Sequence, residues 1–479
     1  MLKNYTRERR IDSMQQPEPQ HFESLYPGST RKKELQEIVR FIREGNSSQL
    51  IGLQGVGRSS ILGLLAYNKA IRLKHFPQNN AIVHFVMTNF SEVRGRPLLD
   101  VMKFLFLSLS ASLRDRQMDE EYEVVDKIFK ESLSYQDELV MTQGLKRSIE
   151  YLALEKKLTI IYLFDRFDEY VPFLSSEFFT NLRSLRDIAK YRFSAVFSLN
   201  RPLEETLEPI LLSDFSDFVT GHHVYVTLCD KESISFRVAY LEKLTGKQLD
   251  KDVVAEIVTL TGGHIRLTKL AVESLLAQTK KREDLQSFLS DQKTIQSALL
   301  SIWRGLTPSE QTYLASNNVI LVSGAHPESS KGKRSWTSQD DEGRTNEYLE
   351  KIGLYKDGVI SIPLLEDFIA DTEKKRMSDQ QKISYDEETN TITQEDVVLS
   401  DSLTKAEFKL LRFLLQHPDQ ILDREEIISV VWQDTATTMG VTEQAVDQLV
   451  FRLRRKIEKD PNNPVHLQTI KGRGIKFSS

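Results

Sequence analysis

The chain has 479 residues, 40% of them hydrophobic and 28% charged, which supplies several packed cores and excludes a disordered chain. Its net charge of −5 removes any global basic character, so a nucleic-acid surface has to be local. The single cysteine, Cys229, excludes an internal disulfide and a cysteine-cluster zinc site, and no apolar run reaches the ~18 residues of a membrane span.

Residues 1–30 are polar and irregular, with Pro17, Pro19 and Pro27, and are expected to drape over the first domain; the charged start reads against a signal peptide. Leu35, Ile38, Val39 and Ile42 share one helical face within 31–44. A short apolar run (Leu50, Ile51, Leu53) then enters Gly52-Leu53-Gln54-Gly55-Val56-Gly57-Arg58-Ser59-Ser60, and Ile61–Leu65 continues with helical spacing. Strand, glycine-rich turn and helix is the layout of a phosphate-binding loop, whose backbone N–H groups converge at a helix N-terminus. The pattern of Gly, four residues, Gly, Lys and Ser or Thr is met at Gly52, Gly57 and Ser59, with Arg58 at the lysine position. The candidate nucleotide-binding residues are Gly52, Gly55, Val56, Gly57, Arg58, Ser59 and Ser60. A tight turn that binds nothing is the bland alternative for this stretch.

Further along, residues 81–87 form a buried strand candidate, and two or three helices fill 97–156. Leu158–Asp165 reads as a strand buried on both faces, followed by Arg166-Phe167-Asp168-Glu169. An aspartate at the carboxyl end of such a strand, with Ser59, is a candidate magnesium pair: Ser59 and Asp165. A helix near 175–189, a strand at 193–199 ending in Asn200-Arg201-Pro202, and a strand over His223–Leu228 complete an alternating pattern that predicts a parallel sheet. Asn200 is placed to orient a water, and Arg201 to reach a phosphate of its own or of a neighbouring subunit. From 230 to 290 the pattern is helical and contains Thr261-Gly262-Gly263-His264-Ile265-Arg266, which puts Arg266 in a first turn near the γ-phosphate. The candidate catalytic set is Asp168, Glu169, Asn200, Arg201 and Arg266.

Gly52–Ser60, Asp165–Glu169, Asn200-Arg201 and Gly262–Arg266 together resemble the origin-recognition-like AAA+ and STAND nucleotide-switch ATPases over roughly residues 30–290. The resemblance implies a P-loop domain with a helical lid, binding ATP or ADP with Mg2+. Here Ile265 stands where the lid often has proline, Arg166 where an acid often follows the aspartate, and Arg58 where lysine is usual. These departures favour nucleotide binding over efficient hydrolysis.

Residues 296–375 combine helix starts at Leu299–Trp303 and Leu306–Gln311 with Tyr348–Leu354 and an Asp357-Gly358 hairpin. That order is similar to the winged helix that follows the lid in those ATPases, interrupted by a polar stretch over 324–346. Leu403–Leu411, Asp423–Trp432 and Thr442–Ile457 then read as three helices. On the third, Val446, Leu449, Val450, Leu453 and Ile457 share one face, which places Gln444, Gln448, Phe451, Arg452 and Arg455 opposite. Amide and guanidinium groups suit the edges of bases in a major groove, and Lys471, Arg473 and Lys476 in the final hairpin suit the phosphate backbone.

From about Lys382 to Phe477 this region resembles the OmpR-type winged-helix effector of bacterial response regulators. The resemblance rests on Leu403-Thr404, Glu407-Phe408, Arg424-Glu425, Val431-Trp432, Val446-Asp447, Leu453–Ile457 and Gly472-Arg473-Gly474. It implies a double-stranded DNA partner. The fold class expected is a multidomain chain: an α/β P-loop NTPase with parallel sheet and helical lid, then two winged-helix (α+β) domains. Boundaries are expected at 1–30, 31–229, 230–292, 293–376 and 380–479. The function expected is a nucleotide-controlled, cytoplasmic, nucleoid-associated transcriptional regulator, with no membrane partner and with room for a homo-oligomer. A DNA-dependent ATPase of phage defence or mobile-element maintenance, and a scaffold with an inactive nucleotide site, stand as alternatives.

Overall fold

The computed structural model describes residues 21–77, 82–277, 284–323, 346–378, 383–387, 389–394, 397–433, 442–458, 460, 461, 463–470 and 472–478, with 317–323, 373–378 and 397 described by backbone alone. The chain divides into two compact units between Phe368 and Ile369.

In the first unit, β1 (Ser48–Ile51), β2 (Val83–Asn89), β3 (Thr159–Asp165), β4 (Phe193–Leu199) and β5 (His223–Tyr225) form one sheet in the order β2-β3-β4-β1-β5. Every neighbouring pair is parallel. All of β4 and all of β3 beyond its first residue are buried, as continuous apolar runs covered on two faces should be. Ile51 lies level with Leu199, so the loop after β1 begins beside the carboxyl end of β4. There the chain order reverses, the place where open parallel sheets take their ligands. The strand β5 is shorter than the expected run to Leu228. After Val226 donates to the Ile51 carbonyl the chain leaves the sheet, and the Thr227 carbonyl accepts from Arg31 instead.

The expected helices are found at Lys32–Arg43 and Ser176–Ile188, and three (Leu98–Asp115, Asp119–Leu133 and Glu138–Glu150) fill the stretch before β3. Lys231–Thr245, Lys251–Leu260 and Ile265–Leu276 are the helices of the stretch expected as a lid. Part of the N-terminal segment does cover the first unit. Phe22 and Tyr26 pack their rings, tilted, against Phe236 in the helix Lys231–Thr245, and Arg237 donates to the Tyr26 hydroxyl. Residues 1–20 lie outside the described residues.

Helices Lys293–Arg304 and Pro308–Ser323 follow, then a helical stretch over 346–351 and a hairpin of β6 (Tyr355–Lys356) and β7 (Val359–Ile360). Asp357 and Gly358 both take positive φ (52° and 84°), as a two-residue turn between twisted strands requires. Residues 324–345, nearly all of the expected polar insert, lie outside the described residues.

The second unit has its own core, in which Ile392, Leu410, Leu414, Ile427, Val446, Leu449, Leu453, Leu467, Ile475 and Phe477 are buried together. An antiparallel sheet of β8 (Ile383–Asp386), β9 (Thr391–Gln394) and β10 (Val397–Val398) precedes helices Lys405–Gln416, Arg424–Val431 and Glu443–Ile457. The first two of these helices start with reciprocal capping boxes, Thr404 with Glu407 and Asp423 with Glu426. A second sheet orders β11 (Ile421–Leu422), β13 (Gly474–Phe477) and β12 (Leu467–Ile470). Gly474 at φ 137° is required there, because a Cβ would collide with the Leu422 carbonyl.

Candidate nucleotide site and nucleic-acid face

The phosphate loop is shaped by three glycines with separate duties. A side chain on Gly52 would press on Val56 and Val226, so the loop can leave the sheet closely only there; Gly55 and Gly57 supply φ of 85° and 107°. The helix Arg58–Tyr67 then starts with Gly57 as its N-cap and no side chain over its first N–H groups. The Ser59 hydroxyl donates to Asp165 Oδ1 at 2.8 Å. The two expected magnesium residues are thus neighbours, and their hard oxygen atoms are the donor type that ion takes.

Arg58 points across the sheet edge. Its guanidinium donates to Asp168 Oδ1 at 3.2 Å and to Asn200 Oδ1 at 2.7 Å, with the side chain only 10% exposed. The Asn200 backbone N–H reaches the same Asp168 oxygen. Asp168 gets there because Arg166 takes a left-handed turn and Phe167 is buried against Phe90, Phe164 and Phe197. Burial pushes the Asp168 carboxyl up from its ordinary value, against the opposing pull of Arg58 and the Asn200 N–H. The other acid of the motif goes elsewhere. Glu169 pairs at 3.5 Å with Arg166, whose side chain is 57% exposed.

The remaining expected groups divide. The Arg266 N–H donates to the Gly55 carbonyl at 3.2 Å, and its side chain lies over that glycine. Arg201 is instead bonded to Glu310, with its guanidinium 4.4 Å from the centre of the Tyr348 ring. The Tyr348 hydroxyl donates to the Asn200 carbonyl at 2.5 Å, which joins the helical stretch before the hairpin to the end of β4.

Two residues at this site are absent from the expected set. Arg31, with a 3% exposed side chain, donates to the Val56 and Thr227 carbonyls and pairs with Glu34. In the sequence it is one more cation beside Lys32 and Lys33 at a helix start, with no local mark of burial. His264 is fully buried. Its Nε2 meets the Gln54 carbonyl at 3.0 Å and must donate, while its Nδ1 faces the Leu267 N–H at 3.3 Å and must accept. That fixes a neutral ring, and burial draws its pKa down to about 4.

On the second unit, Gln444, Gln448, Phe451, Arg452 and Arg455 are all exposed on the outer face of Glu443–Ile457. That face is held firmly from behind. Arg454 donates to the Leu467 carbonyl and to Thr469 Oγ1, and Lys456 to Glu407. Arg424 pairs with Asp447 at 2.9 Å and offsets the acid on this helix's outer surface. In the hairpin Arg473 is exposed, whereas Lys476 pairs with Asp419 at 3.0 Å. Lys471 lies outside the described residues.

Residues 400–477 match the family model described as "Transcriptional regulatory protein, C terminal". The sensory transduction protein RegX3 of Mycolicibacterium smegmatis is 44% identical over 76 residues, which is 16% of this chain and 32% of that protein. The chain therefore spans about a third of the length of the curated relatives it first matches. A Walker-type ATPase of Pyrococcus abyssi aligns with 73% of the chain and 99% of its own at 14% identity, with a TM-score of 0.43. The Aeropyrum pernix ORC1 protein in complex with DNA aligns with 86% of the chain and 94% of its own at 14% identity and a TM-score of 0.35. Among the described residues no helix is long and apolar enough to cross a membrane. Residues 400–477 are an OmpR-type winged-helix domain of the transcriptional regulatory kind.

Proposed function

We propose that this chain is a nucleotide-controlled DNA-binding regulator, cytoplasmic and nucleoid-associated, in which the P-loop unit sets the state of the C-terminal winged helix. The observation that carries the reading is the path from Arg58 through Asn200 to Tyr348. A nucleotide in the loop competes for Arg58, and whatever moves Asn200 is felt by the segment that carries the hairpin. In this reading the backbone of Gly52–Ser60 holds the phosphates of ATP or ADP, and Ser59 and Asp165 hold the Mg2+. The ion's chemistry is to neutralise phosphate charge. Arg58, Arg201 and Arg266 are the contacts that distinguish the triphosphate, since a ligand shifts an equilibrium only by what it binds differently in the two states. Residues 293–376 act as a second winged helix that relays, and do not read bases.

The test is DNA affinity and oligomer size with ATP, with ADP and without nucleotide. Equal values in all three conditions end the switch reading. Asp168 supports a second reading, a DNA-dependent ATPase, because a carboxyl pushed up by burial beside Arg58 suits proton transfer from an attacking water. Turnover measured with and without duplex DNA separates the two: stimulation by DNA favours the ATPase, and nucleotide binding with little turnover favours the regulator.

A further inference from the structure

The outer face of the helix Glu443–Ile457 contains one side chain that does not match its neighbours. Phe451 is 52% exposed among Gln444, Gln448, Arg452 and Arg455. A lone exposed phenylalanine is ordinary on a protein surface. This one lines a shallow depression with Asp447, Gln448 and Arg452, at the middle of the face that carries the amide and guanidinium groups. Its helix is fixed by the bonds of Arg454 and Lys456, and the Asp447 carboxylate beside it is matched by Arg424. The face is therefore presented rigidly and without a net acidic edge.

We infer that Phe451 is a specificity-determining residue that reads the 5-methyl group of a thymine in the major groove; the inference rests on the DNA-reading part of the proposed function. The phenyl ring has no donor or acceptor. Set against a guanine or cytosine edge it would strip water from polar atoms and return no hydrogen bond. The thymine methyl is the apolar feature that the major-groove edge offers. Gln448, Phe451 and Arg455 lie along one stripe, spaced three and four residues apart, so the ring sits roughly 4.5 Å from one polar reader and 6 Å from the other along the helix. That is of the order of one or two base steps, about 3.4 Å each. The ring thus interrogates a position between those read by the amide and the guanidinium.

The experiment selects preferred duplexes for the full-length chain from a random library, then replaces each thymine singly with deoxyuridine, which removes only the methyl. Burial of one methyl-sized group corresponds to a loss of about fourfold in affinity, expected at one thymine and not at the others. Phe451→Ala is expected to abolish that dependence, and Phe451→Leu to restore part of it. Because the side chain is half exposed, the melting transition of both variants should match wild type. The inference is overturned if no single deoxyuridine costs more than about twofold on a preferred duplex, or if Phe451→Ala keeps the full penalty. A chain that prefers no duplex over random DNA overturns the DNA-reading function itself, a separate result.

Discussion

Three arginines of the first unit and three of the second are used in opposite ways. In the first unit the side chains of Arg31, Arg58 and Arg201 are 3%, 10% and 17% exposed, and each is tied to acceptors far away in the chain. In the second, Arg452, Arg455 and Arg473 stay on the surface. A buried guanidinium that loses its partner leaves an uncompensated charge, so the inner set dictates which conformations the unit can hold. An exposed guanidinium costs the fold little and is available to an external anion. Shape control and recognition are thereby carried by one residue type, separated by burial.

The sharpest way to break this contrast is Glu310→Ala, which leaves Arg201 without its carboxylate. Loss of one member of a buried pair should cost the first unit about 3–5 kcal/mol in denaturant unfolding. Replacing both, as Arg201→Met with Glu310→Leu, should cost less than the single change. If the two losses are equal, Arg201 is not held by that pair.

The next effect is titratable. In the folded unit the His264 ring stays neutral down to about pH 4, against about 6.5 when unfolded, so the unfolded chain binds the extra proton between those values. Stability from this residue is full above pH 6.5 and is lost as pH falls through 4, a change of about 3 kcal/mol. Unfolding at neutral and acidic pH should show His264→Gln with a shallower slope than wild type. A variant with the wild-type slope would assign the acid sensitivity to other groups.

Arginines on the second unit should show the reverse profile. Arg452→Ala should lose about 1–3 kcal/mol on a preferred duplex and relax one position. Arg473→Ala should weaken all sequences alike and lower the salt slope by about one. Both should unfold within about 0.5 kcal/mol of wild type, since neither residue is buried. Salt titrations on preferred and random duplexes check this; two variants that match wild type on both would make this domain a protein-docking module.

The smallest effect expected is at Arg58→Lys. An ammonium cannot span Asp168 and Asn200 as the guanidinium fork does, so one hydrogen bond is lost, worth about 1 kcal/mol in unfolding. Freed from Asn200, the site should turn over nucleotide faster than wild type, read by phosphate release. No gain in turnover would place the limit on hydrolysis elsewhere, for instance in Glu169, which pairs with Arg166 on the surface.

What the sequence made legible were features written locally. The strand–glycine–helix order, the apolar runs of β3 and β4, the caps at Thr404 and Asp423 and the buried face of Glu443–Ile457 all depend on residues within a few positions of one another. The Ser59–Asp165 pair was reachable because a known loop layout brings those two places together. Illegible were the partners chosen across the fold. Arg201 and Glu310 are 109 residues apart and Tyr348 and Asn200 are 148 apart, and no periodicity marks either pair. The strand β11, two residues long, is too short to show an alternating pattern and exists because β13 pairs with it.

The close fit of Gly262 against the Ser361 carbonyl, where a Cβ would overlap, bears on how such a chain can be inherited. Ile362 and Leu354 are fully buried, and Tyr348 is bonded to the end of β4. A fragment cut at the end of the lid, near residue 292, would uncover that surface and remove Glu310, the acid bonded to Arg201. The second unit encloses its own core. The helices before residue 292 and the hairpin-bearing segment after it are therefore expected to descend together, as one inherited piece.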